Sequence, residues 1–336
     1  MTPPRPQPPR TSENVPKPYD FVSFPDRRPP LRKPIGHHQY FDKGIHGILH
    51  LELSVATAVH VSTGITMMGS DVGQSGIPLI KTMQTSGNKL TIPGSSLKGV
   101  VRSIYEAITN STLGVVTNKY KSRMPDDRLP CRKKEQLCPA SQIFGALDWQ
   151  GLVSFRDARC VKTGFVPGFM PSLYRPRPDQ RRKYFNPVGR KFYYHATKAI
   201  GGGQQGIPVQ QANQQYVFEA TVQVHNLSLA EFGTLLIALG QDREYPLALK
   251  VGAGKPIGMG TMNVKLTAIA KPQSIADRYT DYNSETPLLT DEALEKLVKN
   301  AIATARQEKL VELLQLQQLH RILTYPTDRQ APSGMY

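Results

Sequence analysis

The sequence predicts an α+β fold, and three observations support that prediction. Four segments alternate apolar with small or polar residues, the pattern of half-buried strands: residues 45–61, 151–161, 214–227 and 261–270. Two further segments, residues 97–108 and 229–240, repeat apolar residues at helical spacing. The 336 residues are 39% hydrophobic, yet no apolar run approaches the roughly 20 residues that span a bilayer. We therefore expect a sizeable core and no membrane insertion.

The charge of the chain indicates a polyanionic partner. Lys and Arg total 42 against 26 Asp and Glu, a formal net charge of +16, which is typical of proteins that bind nucleic acid. The first ten residues, MTPPRPQPPR, lack the apolar stretch of a signal peptide. Three cysteines are too few for a secreted disulfide scaffold. We therefore expect a cytoplasmic protein.

Residues 1–44 are predicted to form an extended, basic, proline-rich docking arm. They hold 11 of the 28 prolines and eight Lys or Arg, with apolar residues too sparse to bury a face. The exception is PYDFVSFPDRR, residues 18–28, whose aromatic residues either dock on another surface or pack on the chain's own domain.

The first strand leads into a Gly-, Ser- and Thr-rich segment, residues 62–89, that predicts a long functional loop or a hairpin. Asp71 is the only carboxylate in GITMMGSDVGQSG. An Asp in such a loop is most often an Asx-turn residue, so spacing alone assigns it no chemistry.

The clearest helix start follows at IPGSSLKGVVRS. Pro93 and Gly94 turn the chain, and Ser95 or Ser96 is expected to cap the helix. Lys98 and Arg102 lie four residues apart and share a face, so the hydroxyls and the two cations suit a phosphate contact. The alternative is an ordinary capped helix with solvated basic residues. The GxxxxGK[ST] spacing of a nucleotide-binding P-loop is absent.

Residues 110–140 are a basic insertion that contains Cys131 and Cys138. With Cys160 and with His195 or another histidine, these thiols suit a structural Zn²⁺ site, or they are simply buried or free cysteines.

A long basic excursion, residues 162–215, interleaves cations with aromatic residues. Cations can bind phosphates and aromatic rings can stack on bases, the combination expected of a groove for single-stranded RNA. The predicted RNA contacts here are Arg181, Arg182, Lys183, Arg190, Lys191 and His195.

The Gly-rich segment KVGAGKPIGMG precedes the last strand and predicts a loop along a sugar-phosphate backbone, with Lys250 and Lys255 as contacts, or a plain hairpin loop. Residues 271–336 form a tail with an amphipathic helix between residues 290 and 322. The element order matches β-α-β-β-α-β, the ferredoxin-like or RNA-recognition-like fold, in which one sheet face is free for nucleic acid.

Four motifs, IPGSSLKGVVRSIYEAI, SQIFGALDWQGLVSFRDA, GRKFYYH and GAGKPIGMG, resemble the RAMP superfamily, specifically backbone subunits of type III CRISPR effector complexes. The motif from Tyr19 to Phe24 and the GRKFYYH segment look most like the III-D branch. The resemblance spans about residues 45–270. It implies a palm over that range, with the excursion as a thumb that intercalates into the guide-target duplex. It also implies guide-RNA contacts at Ser95, Ser96, Lys98 and Arg102, joined by Lys250 and Lys255. The implied partners are the crRNA guide, the target RNA and other effector subunits.

Members of this family that cut target RNA use an Asp in the loop after the first strand together with a divalent ion such as Mg²⁺. The equivalent position here is Gly76, and the nearest carboxylate is Asp71. The resemblance also implies a zinc site in the insertion, reduced here to Cys131 and Cys138. Three hypotheses follow: a guide-holding backbone subunit, a subunit with its own cleavage site at Asp71, and a free-standing protein that binds single-stranded RNA.

Overall fold

The computed structural model describes residues 17–122, 124–172, 189–203, 205–271 and 287–332. The helices of these residues are α1 Gly94–Ile108, α2 Asn118–Lys121, α3 Pro139–Phe144, α4 Leu229–Ala238, α5 Asp291–Gln307 and α6 Leu313–Leu323. The strands are β1 Tyr19–Ser23, β2 Ile45–Val55, β3 Ser62–Met68, β4 Leu79–Met83, β5 Thr85–Ser86, β6 Lys89–Ile92, β7 Val153–Phe155, β8 Ala158–Cys160, β9 Val166–Pro171, β10 Gly189–Tyr193, β11 Gly206–Gln211, β12 Val217–Leu227, β13 Leu249–Lys250, β14 Thr261–Ala270 and β15 Leu288–Leu289.

The centre of the fold is an antiparallel sheet in the order β13-β14-β2-β12-β8-β6-β5, with β7 also paired to β12. The chain visits its four central strands as β2, β7, β12 and β14. It forms α1 after β2 and α4 after β12. This order confirms the predicted α+β fold of the ferredoxin-like type.

One face of this sheet is covered by helices. Leu49, Leu51 and Leu53 alternate along β2 and are buried, while α1 buries Leu97 and Val101 in the same core. The alternation of β2 and the helical spacing of α1 therefore direct the two apolar surfaces at each other. None of the described helices is long and apolar enough to cross a membrane.

The two covering helices begin differently. In α4, Ser228 Oγ accepts a hydrogen bond from Glu231 N at 3.2 Å and Glu231 Oε2 accepts one from Ser228 N at 2.8 Å, the capping box expected of Ser-x-x-Glu. In α1 neither predicted serine caps the helix, so that prediction is wrong. Gly94 N instead donates to Asp157 Oδ1 at 2.8 Å, because a Cβ at Gly94 would lie only 2.2 Å from Phe155 O and the bare glycine lets the β7–β8 turn approach.

A second sheet, in the order β3-β4-β11-β9, joins residues 62–83 to the excursion. Residues 62–83 thus form a hairpin, one of the two predicted alternatives. Its strands leave Ile65, Met68 and Leu79 exposed by 60%, 59% and 54%. The hairpin therefore presents apolar side chains outside the core.

The described part of the arm packs on the same chain. β1 pairs with β10 in antiparallel register from Tyr19↔Tyr193 to Ser23↔Gly189, and Tyr19 and Val22 are buried. Arg128 then holds the following residues, because its guanidinium donates to the carbonyl oxygens of Pro25 and Arg27. Residues 18–28 therefore follow the second alternative offered by the sequence.

The tail also packs on the central fold, as two helices. α5 contacts α4, and α6 contacts α1 and β1. A Cβ on Gly233 of α4 would lie 1.9 Å from Ala301 O of α5, so the backbones of these two helices approach as closely as glycine allows.

Candidate nucleic-acid interface

The predicted contacts at the start of α1 are only partly accessible. Ser95 is exposed, whereas Ser96 and Lys98 are half-buried. Burial and the nearby Arg102 lower the pKa of the Lys98 ammonium group. Because the Asp157 carboxylate already occupies the first amide of the helix, a phosphate at this end would depend on Lys98 and the hydroxyls.

Arg102 and Arg190 share a buried carboxylate. Arg102 Nε donates to Glu106 Oε1 at 2.7 Å, and Arg190 Nη1 donates to Glu106 Oε2, a side chain that is 1% exposed. Gly114 N adds a third hydrogen bond to Glu106 at 2.9 Å. We call Glu106, Arg102 and Arg190 the Glu106 triad. It ties α1 to β10 and, through Gly114, to the insertion. RNA contacts by the two arginines stay a prediction, since each has this structural role as well.

A cleft of 580 Å³ lies between α1, residues 114–132 and residues 141–151, and we call it the α1 cleft. Among the described residues, its walls carry four cationic side chains and no Asp or Glu: Lys98, Arg102, Lys121 and Arg132. Its other walls include Val116, Phe144, Leu147 and Trp149. The cleft thus combines a positive field with apolar surface, and the structure brings predicted contacts of α1 together with the basic insertion.

The Gly-rich loop is folded on itself. Lys250 is 5% exposed and donates to Gly258 O at 3.1 Å and to Thr261 Oγ1 at 3.2 Å. Burial and the neighbouring Lys255 lower the pKa of Lys250 to about 7. His195 is 1% exposed beside it, with Nδ1 near Thr261 Oγ1 at 3.0 Å and Nε2 near Ala248 O at 3.1 Å.

Burial and the charge of Lys250 lower the pKa of His195 to about 3, so this imidazole is neutral. Contacts of Lys250 or His195 with RNA remain predictions that require the loop to open. Lys255 is half-buried, and burial lowers its pKa as well.

The remaining contacts predicted in the excursion divide into two groups. Lys191 lies over the rings of Tyr19 and Tyr193, with Nζ 3.6 Å and 4.6 Å from their centroids. Burial and repulsion from Lys17 lower the pKa of Lys191 to about 8. Arg181, Arg182 and Lys183 lie outside the described residues.

The uncovered face of the central sheet carries a row of four charges that we call the charged row. Strand register places Lys265 opposite Glu52, Glu52 opposite Glu219 and Glu219 opposite Arg159. The neighbouring outward positions of β2, β12 and β14 hold no Phe, Tyr or Trp. This face therefore lacks the Phe, Tyr or Trp platform of RNA-recognition folds, and the aromatic rings that β2 and β12 place on it are the imidazoles of His50 and His225.

Asp71 lies on the 3-10 turn Gly69–Val72 at the tip of the β3–β4 hairpin. It is exposed, with Oδ1 3.4 Å from Ser70 Oγ. Among the described residues no group of three or more His, Cys, Asp or Glu side chains is arranged to hold a metal ion. A divalent ion at Asp71 therefore stays a prediction, and we derive no step through one.

Cys131 and Cys138 lie together at the start of α3. Thr112 Oγ1 is 3.4 Å from Cys131 Sγ and 3.2 Å from Cys138 Sγ, and Cys138 N donates to Cys131 Sγ at 3.4 Å. His195 is committed to Thr261 and Ala248, so it is not a third ligand here. In the described part of the chain the two thiols stand as a free pair, and a zinc ion there stays a prediction.

Sequence reasoning missed three residues that shape this interface. Glu106 was detectable, because it lies four residues after Arg102 on the same helix. Asp157 and Trp149 were not, because only the tertiary fold brings one to the start of α1 and the other to the cleft.

Comparisons with known proteins give a family. The profile of the RAMP superfamily matches residues 52–263. A search of curated proteins finds no match. Among solved structures, the chain is similar to one in a cryo-EM structure of the Type III-B Cmr-beta bound to cognate target RNA, at 14% sequence identity and a TM-score of 0.37. The match covers 68% of this chain and 61% of that one.

Proposed function

Since the chain belongs to the RAMP superfamily, we propose that it is a backbone subunit of a type III CRISPR effector complex that holds the crRNA guide by its phosphates. Its partners are then the guide, the target RNA that pairs with it and the neighbouring effector subunits. Binding through the backbone lets one subunit hold guides of any sequence, because phosphate contacts carry no base information.

The observation that carries this proposal is the α1 cleft. Four cationic side chains line it, and only one of them, Arg102, is paired with a carboxylate in the described residues, in a chain whose formal net charge is +16. Neutralising phosphates with such side chains releases counterions, which provides most of the affinity of backbone-led binding. The α1 residues at its edge, Lys98 and Arg102, are the ones that the family resemblance assigns to the guide.

The charged row favours this proposal over a free-standing protein of the RNA-recognition type. The carboxylates of Glu52 and Glu219 offset the charges of Lys265 and Arg159, so the charged row has no net charge to attract phosphates. Without Phe, Tyr or Trp on the outward positions of β2, β12 and β14, that face is a poorer platform for stacked bases than an RNA-recognition sheet. RNA binding is therefore assigned to the α1 side of the palm.

A second candidate function is cleavage of target RNA at Asp71. Its support is position: Asp71 is exposed at the tip of a projecting hairpin, where a bound RNA can reach it. Within the assembled complex, Asp71→Ala should remove one cut and leave RNA binding unchanged. If all products persist in the variant, the subunit is a structural one.

The experiment that tests the main proposal begins with purification of the tagged protein from its native host and sequencing of the bound RNA. CRISPR-derived RNA supports the proposal, and mixed cellular RNA contradicts it. The salt dependence of RNA binding then follows for the wild type, Lys98→Ala and Lys265→Ala. Loss of one phosphate contact should reduce the slope of log K against log salt by about 0.7 in Lys98→Ala. Lys265→Ala, on the sheet face, should leave it unchanged.

A further inference from the structure

The α1 cleft is larger and more apolar than a phosphate contact requires. Its 580 Å³ falls within the range of about 300–1,000 Å³ that is typical of small-molecule sites. Leu147 on its wall is 73% exposed, and Val116 and Trp149 are half-buried. Exposed apolar groups next to four cations suit a ligand that has both an anionic and a flat apolar part.

The apolar wall is held in place by the backbone. Ala146 and Trp149 exchange two backbone hydrogen bonds of 3.1 Å across a tight turn, which fixes Leu147 at its tip. The arm supports the turn from behind, because a Cβ at Gly36 would lie 3.0 Å from the Trp149 ring and His37 Nε2 lies 3.1 Å from Gly151 O. A preorganised wall loses little entropy when a ligand binds to it.

The same wall offers hydrogen-bonding groups. Gln150 lines the cleft with an exposed side-chain amide, which can both donate and accept hydrogen bonds. A nucleobase supplies both a flat face for apolar contact and polar edges for such groups.

We propose that the α1 cleft binds one whole nucleotide of the RNA, with its phosphate on the cations and its base against Leu147 and Trp149. This inference rests on the proposed function, and it adds to it a contact with a base. The site is expected to tolerate any base, because stacking on apolar and aromatic side chains does not depend on sequence.

The chain provides its own probe, because Trp149 is its only tryptophan. The full-length protein is titrated with a single-stranded RNA decamer and with an abasic ribose-phosphate decamer, and fluorescence is recorded. We expect the RNA to quench Trp149 and to bind at least about fivefold more tightly than the abasic chain, since one stacked base is worth about 1–3 kcal/mol.

Two variants distinguish the contact with the base from the contact with the phosphate. Leu147→Ala should lower RNA affinity toward that of the abasic chain and leave abasic binding unchanged. Arg132→Ala should weaken binding of both oligonucleotides equally. The matched control is Val161→Ala, an aliphatic residue outside the cleft that is 50% exposed, and it should change neither affinity.

Three other outcomes would contradict the cleft inference, and they differ in what they mean for the proposed function. If RNA binds with the expected salt dependence but leaves Trp149 fluorescence and the Leu147→Ala affinity unchanged, the cleft inference is wrong and the proposed function stands. If no RNA binds, both fail. If poly-glutamate quenches Trp149 as strongly as RNA does, the cleft is a site for an acidic protein segment and the inference is wrong.

Discussion

Replacing Lys250 with methionine should stabilise the folded chain at neutral pH, and the gain should shrink as pH rises. Lys250 is a nearly fully buried ammonium group that donates to Gly258 O and Thr261 Oγ1, and neither acceptor is charged. Methionine has a similar length and fills the same space without a charge. The substitution therefore removes the cost of burying the charge and keeps most of the packing.

The expected gain in stability follows from the pKa of Lys250. Burial lowers it from 10.5 to about 7, and each pKa unit corresponds to about 1.4 kcal/mol, so the protonated form costs the folded state about 5 kcal/mol. The unfolded chain keeps its proton up to about pH 10.5. This cost is therefore complete below pH 7 and fades between pH 7 and 10.5. Because the two hydrogen bonds are lost as well, we expect a net gain of about 1–4 kcal/mol at pH 7.

The assay is urea unfolding followed by far-UV circular dichroism at pH 6, 7, 8, 9 and 10, for the wild type and for Lys250→Met. The control is Lys265→Met, an exposed position on β14, which should change stability little and equally at every pH. A gain from Lys250→Met that stays constant across this range, or a loss at pH 7, would refute the reasoning. Lower RNA affinity in the same variant would show that Lys250 contacts RNA after all.

Three further predictions concern the fold around the interface. Glu106→Gln leaves Arg102 and Arg190 without their shared carboxylate, so it should lower the free energy of unfolding by about 3–5 kcal/mol, measured by chemical denaturation. A loss below about 1 kcal/mol would mean that water already screens the three charges. Gly233→Ala should lower the free energy of unfolding by about 1–3 kcal/mol, because the added Cβ meets Ala301 O. The control is Gly99→Ala, which should stabilise the chain by up to about 1 kcal/mol, because nothing lies within 4 Å of the added Cβ. Equal effects of the two substitutions would contradict the close packing at Gly233. His195 is neutral when folded, with a pKa near 3, so stability should fall as pH drops from about 6.5 toward 3, and His195→Gln should flatten this part of the pH profile.

The fold was more predictable than the site. Alternation along β2 and β12 and the helical spacing of α1 are properties of neighbouring residues, so they predict strands, helices and their order. Whether Lys250 faces RNA or the interior depends on how the Gly-rich loop closes, and the sequence pattern is the same in both cases. The serine cap of α1 failed for a related reason, because Asp157 reaches Gly94 from 63 residues away.

The pairing of Arg102 with Glu106 has a physical advantage for the α1 cleft. A bare guanidinium on α1 would occupy several rotamers, and a phosphate would have to immobilise it at a cost in entropy. Arg102 instead donates Nε to Glu106 and Nη1 to Gly145 O at 3.0 Å, so its plane is fixed before a ligand arrives. Glu106 offsets part of the charge, but Lys98, Lys121 and Arg132 are not bound to it and keep the cleft positive. The pairing therefore sacrifices some attraction for phosphate and gains a preorganised site, which suits the proposed role of holding an RNA in one position.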